Sequence, residues 1–292
     1  MAVQLELLVD FRAKIGEGPL WDEQAQVLYW VDIMGNQLCI YDPVKKQNTP
    51  IDVGQPVGTV VVRESGGLML ALQDGLASFD LKSHEVKILV DPEAHLPDNR
   101  FNDGKCDPAG RFWAGTMAFA ATKGVGSLYC MDTDLSVRKM LGEISISNGI
   151  LWSQDHQTMY YIDSLKMDVR AYDFDLKTGD IANERVACQI PKEMGLPDGM
   201  AIDAEGMLWV AHYNGSRVCR WNPQDGQVLE TIPLPVSRVT ACAFGGPDLD
   251  QLYITSASQG MSPEEWQKEP HAGGLFVCSP GVKGVPTFRF KG

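Results

Sequence analysis

The sequence predicts an all-β protein, a six-bladed β-propeller with four antiparallel strands per blade. Two observations carry this. Six short apolar runs share one character and recur at starts 40, 44, 47, 49 and 44 residues apart: LYWVDI at 28–33, LMLALQ at 68–73, FWAGTM at 112–117, MYYIDS at 159–164, LWVAHY at 208–213 and LYITSA at 252–257. Within and around them apolar and polar residues alternate with period two, rich in β-branched and aromatic side chains and punctuated by Gly, Asp and Asn, which is the pattern of strands. Units of this length, each worth about four strands, match a propeller blade. A sandwich does not space six units equally, and the coils of a β-helix are shorter.

Each element of the unit has its own signal. A turn-rich segment stands before each of these runs: WDEQAQ, RESGG, DPAGR, SQDHQ, DAEGM and GPDLDQ. Ahead of the turn lies another apolar stretch, such as VGTVVV, GILW, GMAID or ACAFG. A further β-like run follows: QLCIYDP from 37, GLASFDL from 75, SLYCMD from 127, VRAYDFD from 169, RVCRWNP from 217 and GLFVCS from 274. One short helix is expected at SPEEWQKE (262–269), where Ser262 caps, Pro263 takes the first helical position and Glu265 completes a capping box. The longer connections at 118–126 and 258–273 are candidate lids. No linker or low-complexity segment divides the chain, so residues 1–292 read as one domain.

Composition narrows the function. The 292 residues carry 25 Lys and Arg against 38 Asp and Glu, a formal charge of −13. Duplex binding needs clustered cations to neutralise phosphates, so nucleic acid is not an expected partner. No run approaches the roughly 20 apolar residues that span a bilayer. The amino-terminal MAVQLELLVDFRAK lacks the basic and uninterrupted apolar parts of a signal peptide. Seven dispersed cysteines without a C-x-x-C are expected to be reduced, as in a cytoplasmic protein. No obligate protein partner is evident.

The repeat also singles out polar residues. Counting back 10 to 12 residues from each of the six apolar runs reaches Glu17, Val57, Asn102, Asn148, Asp198 and Thr240. Equivalent points in successive blades share one height and radius, so at the mouth end of the innermost strands these side chains converge on the central channel. Four are Glu, Asn, Asn and Asp, three of them beside glycine in G-E-G-P, S-N-G and P-D-G, where glycine permits positive φ and close backbone approach. Singly these are turn signals; their recurrence at one repeat position argues for a site. Converging carboxylates repel unless something positive stands between them. Glu17, Asn148 and Asp198 form an all-oxygen set for one divalent cation, with Ca²⁺, Mg²⁺ or Mn²⁺ the best match and Zn²⁺ or Fe²⁺ also accommodated. Three protein ligands leave open positions, the pattern of a catalytic site.

GEGPLWD (16–22), RFNDGKCDPAGRFWAGTM (100–117), SNGILWS (147–153), YYIDS (160–164), LPDGMAIDAEGMLWVA (196–211) and FGGPDLDQLYITSA (244–257) resemble the regucalcin (senescence marker protein)/gluconolactonase family, which includes luciferin-regenerating enzymes. The resemblance runs from about residue 15 to the end. It implies a six-bladed propeller hydrolysing sugar lactones with one divalent metal in the channel, ligated by Glu17, Asn148 and Asp198. It also makes Asp198 the general base and Arg100 and Asn102 the residues contacting the sugar. Where regucalcin-type members carry an acidic pair after GTMA, this chain has Phe119 and Ala120, a more apolar wall.

The expected activity is therefore metal-dependent hydrolysis of an aldonolactone to its aldonic acid. Hydrolysis of another ester or lactone at the same metal, or a non-enzymatic Ca²⁺-binding regulatory role, are the alternatives. Asp103 reads either as an acceptor behind the site or as a turn residue. DFDLKTGDIANE (173–184) begins like an EF-hand loop, but Lys177 occupies a ligand slot, so it reads as a hairpin turn. GVGSLY (124–129) lacks the third glycine of a dinucleotide fingerprint, and G-x-S-x-G is missing from the sequence. The five histidines share no ligand spacing; His212, at the end of LWVAHY, is the one to follow.

Overall fold

In the computed structural model, which describes residues 3–292, each repeat unit becomes one four-stranded antiparallel sheet. Met1 and Ala2, which open the amino-terminal segment read above, lie outside the described residues. The first strand, β1 (Leu5–Val9), belongs to the last blade. The first blade is β2 (Gly16–Asp22), β3 (Val27–Asp32), β4 (Gln37–Asp42) and β5 (Gln47–Asp52). The second is β6 (Val57–Val62), β7 (Leu68–Leu72), β8 (Gly75–Phe79) and β9 (Val86–Val90). The third is β10 (Asn99–Cys106), β11 (Phe112–Ala118), β12 (Gly126–Met131) and β13 (Val137–Ile144). The fourth is β14 (Ser147–Trp152), β15 (Thr158–Asp163), β16 (Asp168–Phe174) and β17 (Ile181–Gln189). The fifth is β18 (Leu196–Ile202), β19 (Leu208–Tyr213), β20 (Arg217–Asn222) and β21 (Gln227–Pro233). The last has β22 (Val239–Gly245), β23 (Gln251–Ser256) and β24 (Leu275–Cys278), and β1 supplies its outermost strand by pairing Leu5 with Cys278 and Leu7 with Phe276.

Burial follows position in the blade. The six first strands are buried almost throughout, β6, β14 and β22 at every residue, whereas fourth strands such as β17 face solvent along most of their length. All six apolar runs fall on second strands, sandwiched between neighbouring blades; Trp30, Trp113 and Trp209 are fully buried there. The turn between first and second strands lies on the face opposite the mouth, and repeated aspartates build it. Asp107 accepts from the Ala109 and Arg111 amides and from Trp113 Nε1 (3.0 Å), and Asp203 repeats this with Glu205, Met207 and Trp209 Nε1 (2.9 Å). In 173–184 the Asp175 carboxylate accepts from the Lys177 and Thr178 amides, so that segment is the β16–β17 hairpin turn.

The short helix α1 (Pro263–Lys268) forms with the expected capping box: Ser262 Oγ accepts from the Glu265 amide (3.2 Å) and Glu265 Oε2 from the Ser262 amide (2.7 Å). Antiparallel pairing of Asn99 with Ala118 and of Val239 with Ser256 puts both long connections, 119–125 and 257–274, on the mouth face. The last residues cross the other face: Ala204 donates to Lys283 O, Gly284 to Leu249 O, Thr287 to Trp21 O, Phe290 to Val62 O and Lys291 to Gly110 O, so one segment straps five blades. None of the described helices is long and apolar enough to cross a membrane. All seven cysteines are buried and free.

Candidate functional site

Every first strand carries a bulge at the position the repeat singles out. Register shifts fall between Glu17 and Leu20, Val57 and Thr59, Phe101 and Gly104, Asn148 and Ile150, Pro197 and Met200, and Val239 and Cys242. A bulge kinks a strand and re-aims the side chain beside it. Here it lets the residues at one end of six strands face the channel without disturbing the alternation that packs the rest of the blade.

The adjoining glycines serve close approach more than backbone torsion. Only Gly18 has positive φ, +54°. A Cβ on Gly149 would stand 2.7 Å from Met200 Cγ and 2.9 Å from Asp198 O; one on Gly199 would lie 2.4 Å from Ala241 Cβ; one on Gly58 would meet Asn102 O at 2.4 Å. Glycine thus lets the first strand of one blade press against that of the next, which draws the polar ring together.

Aspartates at the ends of second strands hold the entry to these bulges. Asp32 accepts from the Lys14 and Ile15 amides, both at 3.0 Å, just before Glu17. Asp163 accepts from the Ser145 (3.1 Å) and Ile146 (3.0 Å) amides, just before Asn148.

Of the five residues singled out by the sequence, three form one hydrogen-bonded chain, and its Arg100 is linked by charge to the other two, Glu17 and Asp198. Arg100 Nη1 donates to Asn102 Oδ1 (2.6 Å), and Asn102 Nδ2 donates to Asn148 Oδ1 (3.0 Å) and Ser147 O (2.7 Å). Asn148 Nδ2 donates to Ser164 Oγ (2.8 Å), which turns its amide oxygen toward the channel. Glu17 accepts from the Gly18 amide (3.0 Å), and its carboxyl and that of Asp198 are close enough for each to act on the other. Asp198 Oδ1 has no partner although buried. The two remaining ring positions contribute nothing polar to the channel: Val57 is apolar, and the Thr240 hydroxyl is tied to Gly16 O (2.5 Å).

Electrostatically the site is an excess of buried acid. Burial and the nearby Asp103 push Glu17 up to about 8, against the pull of the Gly18 amide, the Asp198 carboxyl and Arg100. Burial, Glu17 and Asp103 hold Asp198 well above the ordinary carboxylate range. Arg100 is lowered to about 10 by burial, opposed by Glu17 and Asp198, so it keeps its charge at neutral pH. Its Nε is buried without a partner, and Phe119, 41% exposed, sets its ring 5.9 Å from the guanidinium carbon.

Asp103 is a buried member of β10, not a turn residue. Its Oδ1 accepts from the Gly104 amide (2.7 Å) while Oδ2 is unpartnered. His212 faces the protein interior: Nε2 accepts from Trp221 Nε1 (3.4 Å) and burial lowers it to about 4. Among the described residues no three His, Cys, Asp or Glu side chains group as a metal site; the set assembled here draws its third donor from an asparagine. The residues nonetheless fit a hard cation. Two buried carboxyls stand close together, both raised, and one of their oxygens is orphaned, which a divalent ion between them would satisfy.

Fold and site together define a six-bladed propeller of the kind that gathers oxygen donors at one mouth of its channel. The chain belongs to the SMP-30/gluconolactonase/LRE-like family, whose model matches residues 15–258. It is 43% identical to regucalcin from Xenopus laevis over 298 aligned positions, covering 100% of this chain and 99% of that protein. A solved luciferin-regenerating enzyme superposes with a TM-score of 0.94 at 34% identity, covering 99% of this chain and 100% of that one. Regucalcin from Agrobacterium tumefaciens, described as a calcium-binding protein, gives 0.95 at 27% identity over 100% and 98%.

Ser164, Asp32 and Asp163 act on this site but did not stand out as site residues. Their signal was the acidic end of WVDI and YYIDS, which reads equally well as the close of a strand.

Proposed function

We propose that this protein hydrolyses a sugar lactone to the aldonic acid with the help of one divalent cation. The observation that carries the reading is the pair of buried acids Glu17 and Asp198, brought together from different blades and both raised, with Asp198 Oδ1 left without a partner. Glu17, Asn148 and Asp198 would hold the cation, Ca²⁺, Mg²⁺, Mn²⁺, Zn²⁺ or Fe²⁺. When bound it polarises a carbonyl and stabilises the negative charge that develops there.

The remaining chemistry belongs to the chain. Asp198 takes a proton from the attacking water and returns it to the ring oxygen as the ring opens; a carboxylate held beside the cation is positioned to take that proton. Glu17, fixed by the Gly18 amide, and Asn148, fixed by Ser164, keep their oxygens in place. Arg100 retains unused donors for a substrate hydroxyl or the product carboxylate, and Asn102 links it to Asn148. The family match supports lactone chemistry, and the seven unpaired buried thiols support a reducing, cytoplasmic setting.

The exposed Phe119 ring beside Arg100 favours a second reading, in which the same centre opens a less hydroxylated lactone or another ester. Proton release by metal-stripped protein, resupplied with each cation in turn, tests both. Glucono-δ-lactone, xylonolactone and an unsubstituted δ-lactone serve as substrates, with Asp198→Ala and Glu17→Gln alongside. Metal-dependent turnover lost in both variants is the expected result, and the substrate ranking separates the two readings. A protein that binds metal yet opens no lactone or ester above the blank is a binding protein, and the hydrolase reading fails.

A further inference from the structure

A cavity lies at the end of the channel away from the acidic mouth. It has a volume of about 340 Å³ and is enclosed between the far ends of the first strands and the strap, with Val285–Phe288 as part of its wall. Asn148 and Trp152 bracket β14, so at roughly 3.3 Å per residue this cavity sits about 13 Å from the acidic mouth. Its volume falls in the range of about 300–1,000 Å³ typical of small-molecule sites. The wall is mainly apolar, from Leu20, Leu151, Ala201, Ala243, Phe244 and Phe288.

Ser153, Gln154, His156 and Thr287 add polar groups to it, and one residue adds a fixed charge. Lys105 is the only lysine or arginine in the lining. Its Nζ donates to Met200 O at 2.6 Å and makes no ion pair among the described residues. An ammonium has three donors, so two remain for a ligand. The nearest acid acting on it, Asp103, lies across a void of about 10 Å³ lined by both residues, room for about one water. An apolar chamber with one uncommitted cation at its inner end is built for a molecule with an apolar body and a single negative head.

We propose that this cavity is a binding site for an alkyl monocarboxylate, its carboxylate on Lys105 and its chain along Leu20, Leu151, Ala243 and Phe288. A single lysine offers one point charge, which matches a singly charged head such as a carboxylate and not a multiply charged one. The site is separate from the acidic mouth and asks nothing of the metal.

Decanoate, below its micellar concentration, is the probe, titrated calorimetrically against the whole protein with decanol as the neutral control. Saturable one-to-one binding is expected, abolished by Ala243→Phe, which fills the chamber, and weakened at least tenfold by Lys105→Met, while decanol binding to Lys105→Met is unchanged. Lactone should not displace the bound decanoate. Should Ala243→Phe misfold, a diazirine-bearing decanoate on the unaltered protein replaces it, with cross-links expected in peptides containing Leu151–Trp152 and Val285–Phe288. No saturable binding, decanoate binding indifferent to Lys105→Met, or cross-links confined to other segments would overturn the proposal.

Discussion

The hydroxyl of Ser164 decides which atom of Asn148 faces the channel. Without that acceptor only the Asn102 donor holds the amide, and a turn that presents nitrogen, which cannot ligate a cation, becomes easier. Ser164→Ala should therefore leave the fold intact and weaken metal binding about 10- to 100-fold, as loss of a partner behind a ligand commonly does; a calcium titration of metal-stripped protein reads it directly. His212 matters in another way. It is buried and neutral, and its folded value of about 4 lies below the roughly 6.5 of an exposed imidazole. The unfolded chain takes up a proton at this residue before the folded one does. Stability is therefore full above pH 6.5, falls between about 6.5 and 4, and levels off below, with a ceiling of about 3 kcal/mol from this group. Urea denaturation across that window should show the slope, and His212→Gln should flatten it.

At the scale of the strand, the bulges and their glycines turn a packing unit into a binding unit. Gly199→Ala would drive a Cβ to 2.4 Å from Ala241 Cβ on the adjacent blade, where backbone as well as side chain must give. We expect about 1–3 kcal/mol of lost stability, the usual cost of overpacking, together with loss of turnover because Asp198 is the next residue; thermal melts and the lactone assay separate the two effects. These strands were well marked in the sequence. Their period-two pattern and turns fixed all six apolar runs as second strands, and the repeat arithmetic placed Glu17, Asn148 and Asp198 on first strands at one level. The reason for the glycines was only half legible. S-N-G and P-D-G suggest left-handed turns, yet Gly149 and Gly199 sit in strands and are small because a neighbouring blade occupies the place of a side chain. That neighbour is some 50 residues away in sequence, roughly one blade, and invisible to a local pattern. Asp103 was obscured for the same reason: N-D-G reads as a turn until the bulge at Phe101–Gly104 places it inside β10.

For the whole molecule, two devices hold the ring shut, and neither was visible in the repeat. One is β1, which pairs with β24 from the opposite end of the chain. The other is the strap, whose Phe290 is fully buried against the second and third blades. Phe290→Ala should cost about 3–5 kcal/mol, as large aromatic truncations do, and should do so without touching the acidic mouth; unfolding midpoints with and without cation would show both. A cation that binds only the closed ring stabilises it by mass action, about 2.7 kcal/mol at a concentration one hundred times its dissociation constant. That gain should vanish in Glu17→Gln with Asp198→Ala. The pairing of residue 5 with residue 278 also has a consequence in time. At about 5–20 residues per second of synthesis, β1 waits roughly 15–50 s for its partner to exist. During that interval its unpaired edge is open to the ribosome's surroundings, so a growing chain depends on whatever shields Leu5–Val9 until the last blade emerges.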